Sequence, residues 1–397
     1  MNRGNIRLNN PERFNSDYEI PKEKLQKAIE KACSKLKSKI AYYADKFPGT
    51  GTKGYKYTLS ENTNWITGLH TGCFLLAYKL SGDEEFLNVA KKHILSFKHR
   101  LDEKIELSDH DVGFLYSPSC VLMHLLTGDE LSEKIAIEAA EHLYNHSYSK
   151  KGGFILRWAD GSNKLEFCRT MMDTLFNIPL FYWAYEKTGD KKYSDAANSQ
   201  INITADYLIR KDGSSYHHYQ FDVETHKPLY GVTLQGNRDE STWSRGHSWG
   251  VAGLPIAYSY TKDESLLNLH RDITYYMLNH LPEDNIPYWD YDFIDGDEPR
   301  DTSAGLIGAC GMIMAAQTMP YSDKEKKIFK TAGAKIIEAV IDNYTGDIGT
   351  DYDGLIHGVT PFRKSPGFTT GECAAYGDYF YLEALLRYTK PDEQKYW

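Results

Sequence analysis

The sequence predicts an all-α protein, an (α/α)6 barrel of six helical hairpins. Three features predict it: a hairpin pattern that recurs six times, a scarcity of strand signals, and hairpin spacings too uneven for an open helical solenoid. The pattern is plainest at residues 65–90, WITGLHTGCFLLAYKLSGDEEFLNVA. An aromatic start leads into an apolar helix, Ser81-Gly82-Asp83 makes a turn, and an amphipathic helix follows. Gly supplies the left-handed residue that ends one helix, and Asp caps the next.

The same parts recur at 111–139 around Thr127-Gly128-Asp129, at 173–196 around Thr188-Gly189-Asp190, and at 245–270 around Thr261-Lys262-Asp263. A weaker copy spans 304–340 and turns near Tyr321-Ser322-Asp323, and a last one turns near Thr389-Lys390-Pro391-Asp392. The first helix of each copy is apolar nearly all round, as a helix buried between neighbours must be. The second carries Lys and Glu on one face, as a peripheral helix does. Residues 21–45 read as one amphipathic helix ahead of the repeats. FILRWAD and SYHHYQFDVET are candidates for short hairpins in loops. Turn markers stand roughly 45 to 75 residues apart, which favours a closed ring. No Pro/Ser-rich linker interrupts the chain, so residues 1–397 are read as a single barrel domain.

Bulk composition removes several classes. With 41% hydrophobic and 25% charged residues the chain is globular rather than disordered. A net charge of −9 argues against a nucleic-acid partner, which would need a basic footprint. The start, Met1-Asn2-Arg3-Gly4-Asn5, has no apolar run, and no stretch is long enough to span a membrane. Six scattered cysteines without a C-x-x-C pair fit buried thiols in the cytoplasm.

The repeat register locates a site. Sixteen residues before Ser81 is Trp65, and sixteen before Thr127 is Asp111. Fifteen before Thr188 is Asp173, and sixteen before Thr261 is Arg245. Equivalent positions in a ring share one end of the barrel, so two carboxylates, an Arg and a Trp should converge on one mouth. Each Asp has a plainer role as an N-cap, and each Trp as core packing. Asp111 has His110 beside it, whereas Asp173 lies between Met171-Met172 and Leu175-Phe176. Apolar surroundings and a second carboxylate both raise a carboxyl pKa, so Asp173 is expected to be the protonated acid. A protonated and an ionised carboxyl facing one ligand is the pattern of acid/base chemistry on sugars. His217, His218, His226 and His247 match no zinc spacing, and no metal is expected.

Four segments carry a family resemblance: His110-Asp111-Val112-Gly113-Phe114, Met171-Met172-Asp173, Trp243-Ser244-Arg245-Gly246-His247-Ser248-Trp249-Gly250, and the closing GDYFYLEAL. In this order and on a six-hairpin pattern, the chain resembles the unsaturated glucuronyl hydrolases of glycoside hydrolase family 88. The resemblance implies the (α/α)6 barrel, no cofactor, and two essential aspartates at Asp111 and Asp173. It adds Trp65, His110, Trp158, His217, Gln235, Arg245 and Trp249 as pocket residues. His247-Ser248 is a departure, since relatives often carry Gln-Ala there.

The implied reaction removes a 4,5-unsaturated uronic acid from a lyase-generated oligosaccharide by hydrating its C4=C5 bond. The partner is then that oligosaccharide, sulfated or not, with Lys364 and Ser365 as a sulfate contact. Unsaturated rhamnogalacturonyl hydrolases share barrel and acids. A non-catalytic glycan-binding barrel and a sugar epimerase using a His pair are the other readings.

Overall fold

The computed structural model describes residues 4–158, 165–345, 352–362, 370–393 and 395–397. Among these, six helical runs form an inner ring. They are Thr67–Ser81; Val112–Tyr116 continued by the π-helical Ser117–Val121 and by Leu122–Thr127; Ile178–Thr188, entered through the 3-10 turn Met172–Phe176; Ser244–Thr261; Thr302–Thr318; and Ala375–Thr389. Each packs on the next, and Ala375–Thr389 packs back on Thr67–Ser81, so the ring closes and the open solenoid is excluded. Glu84–Asp102, Glu130–His146, Lys191–Ile203, Ser265–Asn279 and Asp323–Asn343 lie outside it.

Position in the ring explains the residue patterns. Thr302–Thr318 is buried at every residue from Thr302 to Ala316, as a helix with neighbours on all sides requires. Lys22–Ser38 buries only the stripe of Leu25, Ala28, Ile29, Ala32, Cys33 and Leu36. The turns follow the expected chemistry. Gly82, Gly128 and Gly189 take left-handed conformations, and Asp83, Asp129 and Asp190 accept from backbone N–H groups of the next helix. Ser322 and Glu325 form a reciprocal capping box. Inner helices approach closely at glycines: a Cβ on Gly68 would stand 2.2 Å from the Phe114 carbonyl oxygen, so no larger residue fits.

The sequence expectation needs two corrections. The last repeat ends with its inner helix, and its outer partner is Lys22–Ser38 from the start of the chain, which packs against Ala375–Thr389. The sixth hairpin is therefore assembled from both ends. The N-terminal helix stops at Ser38, and Ile40–Tyr43 is a separate short turn. Each loop candidate supplies one arm of an antiparallel hairpin, and the other arm lies outside the segment, at Tyr148–Ser149 and at Pro228–Val232. Only Phe154–Ile155 and His218–Phe221 fall in the two candidate segments; the second joins Arg169–Met171 and Pro228–Val232 in a three-stranded antiparallel sheet. That sheet delivers the chain to Asp173.

Aromatic rings fill the barrel below one end. Phe114 and Phe176 stack at 5.7 Å, Trp249 meets Phe176 at 5.0 Å, and Trp397 meets Phe176 at 4.7 Å. This plug forms a floor and leaves only a shallow basin at the mouth.

Candidate active site

The residues in shared register meet at that basin. Trp65, Asp111, Asp173 and Arg245 all line one cavity of about 130 Å³, together with His110, Gln235 and Trp249. Trp65 stands just before the inner helix Thr67–Ser81, Asp111 occupies the position immediately before Val112–Tyr116, Asp173 lies in the turn Met172–Phe176, and Arg245 is the second residue of Ser244–Thr261. An adjoining cavity of about 200 Å³ shares Trp65, Asp109 and Asp111.

Neither aspartate spends its side chain on a cap. Asp111 makes no capping hydrogen bond, although it occupies the N-cap position. The neighbouring helix does that work: Asn177 Oδ1 accepts from the backbone N–H of Gly113 at 2.7 Å and of Phe114 at 3.3 Å. A side-chain amide borrowed from the next repeat thus leaves the Asp111 carboxyl free. Asn177 Nδ2 also donates to the Asp173 carbonyl at 3.4 Å, tying both acid-bearing turns to one residue.

His110 joins the carboxyls. Its Nε2 is 2.9 Å from Asp173 Oδ1 and 3.3 Å from Asp111 Oδ1, while Nδ1 hydrogen-bonds Asp109. Burial opposes charge on this imidazole, but Asp111, Asp109 and Asp173 outweigh it and hold its pKa up at about 10. His110 is therefore an imidazolium at neutral pH.

The two acids respond in opposite directions. Burial pushes the Asp111 carboxyl up; His110 opposes, Asp109 and Asp173 add to the rise, and its pKa reaches about 7. Burial would also raise Asp173, but the charge and hydrogen bond of His110, helped by His217 and Arg157, pull it below the usual carboxylate range. The raised pKa expected at Asp173 thus belongs to Asp111. The physical reason is the shorter contact to the imidazolium, which apolar neighbours in the sequence do not reveal.

Arg245 is fixed by its surroundings. Nη2 donates to the Pro361 carbonyl at 2.7 Å, and Nη1 stands 3.9 Å from Asp301 Oδ2. Its Cζ lies 4.2 Å from the Tyr376 ring and 4.6 Å from that of Trp243. Trp65 stacks on the Tyr376 ring, 5.7 Å between centroids.

Two expected pocket residues sit one layer back. His217 Nε2 is 3.9 Å from Asp173 Oδ2, and burial lowers its pKa to about 4, so it faces the acid as a neutral ring. Trp158 donates from Nε1 to Asp109 Oδ2 at 3.1 Å and does not line the cavity. Lys364 and Ser365 lie outside the described residues. The cavity wall adds Asp109, Phe114, Arg157, Met171 and Trp243, which were not singled out as site residues. All but Arg157 lie in or beside the quoted motifs. Arg157 comes from an irregular loop segment, where no periodicity flags a residue.

Asp109, His110 and Asp111 each offer a ligand atom within 4.8 Å of the others. Both ring nitrogens of His110 already face carboxylates, Nδ1 that of Asp109 and Nε2 that of Asp173, and the trio reads as an acid/base network.

Acids of opposed protonation, a fixed guanidinium and indole walls at the mouth of an (α/α)6 barrel define a glycoside hydrolase. Comparison with known proteins agrees. The profile of Glycosyl Hydrolase Family 88 matches residues 39–351. An unsaturated chondroitin disaccharide hydrolase of Streptococcus pneumoniae is 40% identical over 393 residues, 98% of each chain. The crystal structure of an unsaturated glucuronyl hydrolase from Streptococcus agalactiae superposes with a TM-score of 0.93 at 38% identity, covering 100% of both chains. A variant of the Streptococcus agalactiae enzyme complexed with dGlcA-GalNAc6S gives a TM-score of 0.86 at 35% identity, again over 100% of both. The chain belongs to glycoside hydrolase family 88.

Proposed function

We propose that the protein removes the 4,5-unsaturated uronic acid from the non-reducing end of glycosaminoglycan-type oligosaccharides, by hydration of the C4=C5 bond, within one catalytic domain. The observation that carries this reading is the single imidazolium of His110 set against both Asp173 and Asp111 in an aromatic-walled basin. The relative bound to dGlcA-GalNAc6S supports a sulfated disaccharide as substrate. Among the described residues no helix is long and apolar enough to cross a membrane. All six cysteines are free and buried, which supports a cytoplasmic setting.

The chemistry follows from the proton inventory. An enol ether bearing a C5 carboxylate accepts a proton at C4, which places positive charge on C5 and the ring oxygen. Asp173 delivers that proton. The His110 Nε2–H bond breaks as the Asp173 O–H bond forms, and Asp173 then protonates C4. Asp173, again an anion, takes a proton from the water that adds to C5 and passes it back to Nε2. The sum is addition of one water. The C5 hemiketal opens, and the resulting C1 hemiacetal expels the rest of the saccharide. Assistance of this kind contributes about 10²–10⁴ in rate.

The remaining groups bind. Arg245 and Gln235 hold the C5 carboxylate, the guanidinium orienting the plane of the ring. Asp111 holds ring hydroxyls. Trp65 and Trp249 offer apolar faces to the sugar, with Trp158 and His217 supporting from behind. Lys364 and Ser365 are assigned to a sulfate on the adjoining sugar.

Turnover in ¹⁸O-labelled water tests this. Because the opened aldehyde and ketone exchange oxygen with water, the label is read in early time points: label entering C5 ahead of C1 is expected, and label entering C1 first would mean ordinary glycosidic hydrolysis and would overturn the reading.

A further inference from the structure

We propose that Asp109 is a positioning residue of this reaction: it grips the Nδ1 edge of His110 and so aims the Nε2 edge at Asp173, while Arg157 braces Asp109 itself. The inference rests on the reaction read above and adds the group that sets its proton carrier.

Both oxygens of Asp109 are committed within the protein. Oδ1 accepts from the His110 backbone N–H at 2.6 Å and from the His110 ring Nδ1. Oδ2 accepts from Arg157 Nη1 and, at 3.1 Å, from Trp158 Nε1. An acid so occupied is poorly placed to hold a sugar, even though it touches the cavity wall. Its partners are themselves fixed. The Arg157 carbonyl accepts from His110 N at 3.3 Å, Arg157 N donates to the Arg169 carbonyl at 2.8 Å, and the guanidinium lies 4.0 Å over the Trp158 ring. The brace therefore comes from a segment paired on both sides.

The aim matters because Nε2 has two acids within reach. Contacts of 2.9 Å to Asp173 and 3.3 Å to Asp111 differ by a few tenths of an ångström, and a small turn of the ring would exchange them. Gripping Nδ1 fixes that turn. It also keeps Nδ1–H in place throughout the cycle, so that the proton which leaves the ring is the one facing Asp173. Among the described residues, the charged and titratable groups facing His110 are Asp109 and Asp111 from its own segment, Asp173 from the turn Met172–Phe176, Arg157 from the loop, and His217 and His218 at the start of the strand His218–Phe221. Burial lowers the pKa of both histidines, which leaves Arg157 as the cation opposing the three carboxylates.

The test compares wild type, Asp109→Asn and Asp109→Ala on an unsaturated chondroitin disaccharide, measuring kcat and KM against pH, and Tm. In both variants kcat should fall about 10²-fold, with KM within about threefold. The alkaline limb of the kcat profile should move down by about one to three pH units as one anion facing the imidazolium is lost. Asn retains an acceptor for Nδ1 and should recover part of kcat over Ala, without restoring the limb. A purely structural Asp109 would lower Tm and leave the profile's shape alone. Should the Asp109 variants fail to fold, Arg157→Gln must lower kcat at unchanged KM. A wild-type profile in a folded Asp109→Asn or, failing that, in Arg157→Gln overturns this assignment alone. An inactive wild type overturns the reaction reading together with it.

Discussion

His110 Nε2 lies 2.9 Å from Asp173 Oδ1, and this one contact decides which of the two acids at the barrel mouth is the anion. Replacing the ring removes both the charge partner of Asp173 and the store from which it draws its proton. His110→Ala should lower kcat by about 10²–10⁴-fold and raise the acidic limb of the kcat/KM profile, because Asp173 loses the cation that depresses its pKa. A pH–rate series on an unsaturated disaccharide checks both, and a variant within threefold of wild type would remove His110 from the chemistry.

Asp111 carries the cost of the same arrangement. Its folded-state pKa of about 7 lies above the roughly 3.9 of an unfolded Asp. Stability from this group is fully present below the unfolded value and is lost as pH rises through about 7. Asp111→Asn keeps the shape and removes the titration. It should raise Tm by about 2–4 °C at pH 8, have little effect at pH 4, and cripple turnover. Thermal melts at the two pH values decide it; equal effects at both would place the penalty elsewhere.

Asn177 frees Asp111 by capping its helix from the next repeat. Asn177→Ala strands two N–H groups at the start of Val112–Tyr116, and the Asp111 carboxyl, at the N-cap position, is then expected to turn toward them. A loss of about 1 kcal/mol in stability is expected, with a larger fall in kcat than that loss explains. Denaturant melts beside steady-state kinetics would show it. Unchanged kcat in a destabilised variant would make Asn177 a cap and nothing more.

The barrel was legible in the sequence because its units are local. A Ser/Thr-Gly-Asp turn and an all-apolar helix sit within thirty residues of each other, and counting back from Ser81, Thr127 and Thr188 reaches the mouth at Trp65, Asp111 and Asp173. What local pattern cannot carry is pairing across the ring. The sixth hairpin joins Lys22–Ser38 to Ala375–Thr389, more than three hundred residues apart. The charge on Asp173 is hidden from local pattern for the same reason: its Met and Leu neighbours are adjacent in sequence, whereas the imidazole that governs it stands 63 residues away. Arg157 and Asp109 escaped notice because a loop arginine and a second carboxylate beside His110 become informative only once they touch.

The sulfate contact assigned to Lys364 and Ser365 can be separated from the chemistry. Lys364→Ala should raise KM for a sulfated unsaturated disaccharide by about fivefold to tenfold, the worth of roughly 1 kcal/mol of charge pairing. KM for the unsulfated disaccharide should hold. Parallel kinetics on the two substrates test this, and equal effects on both would move sulfate recognition elsewhere.

The most direct test is turnover by Asp173→Asn, followed through the ultraviolet absorbance of the C4=C5 double bond. A folded variant that still binds the disaccharide but has lost at least about 10³-fold in kcat is the predicted result. Turnover at the wild-type rate would leave C4 protonated by some other group and contradict the account.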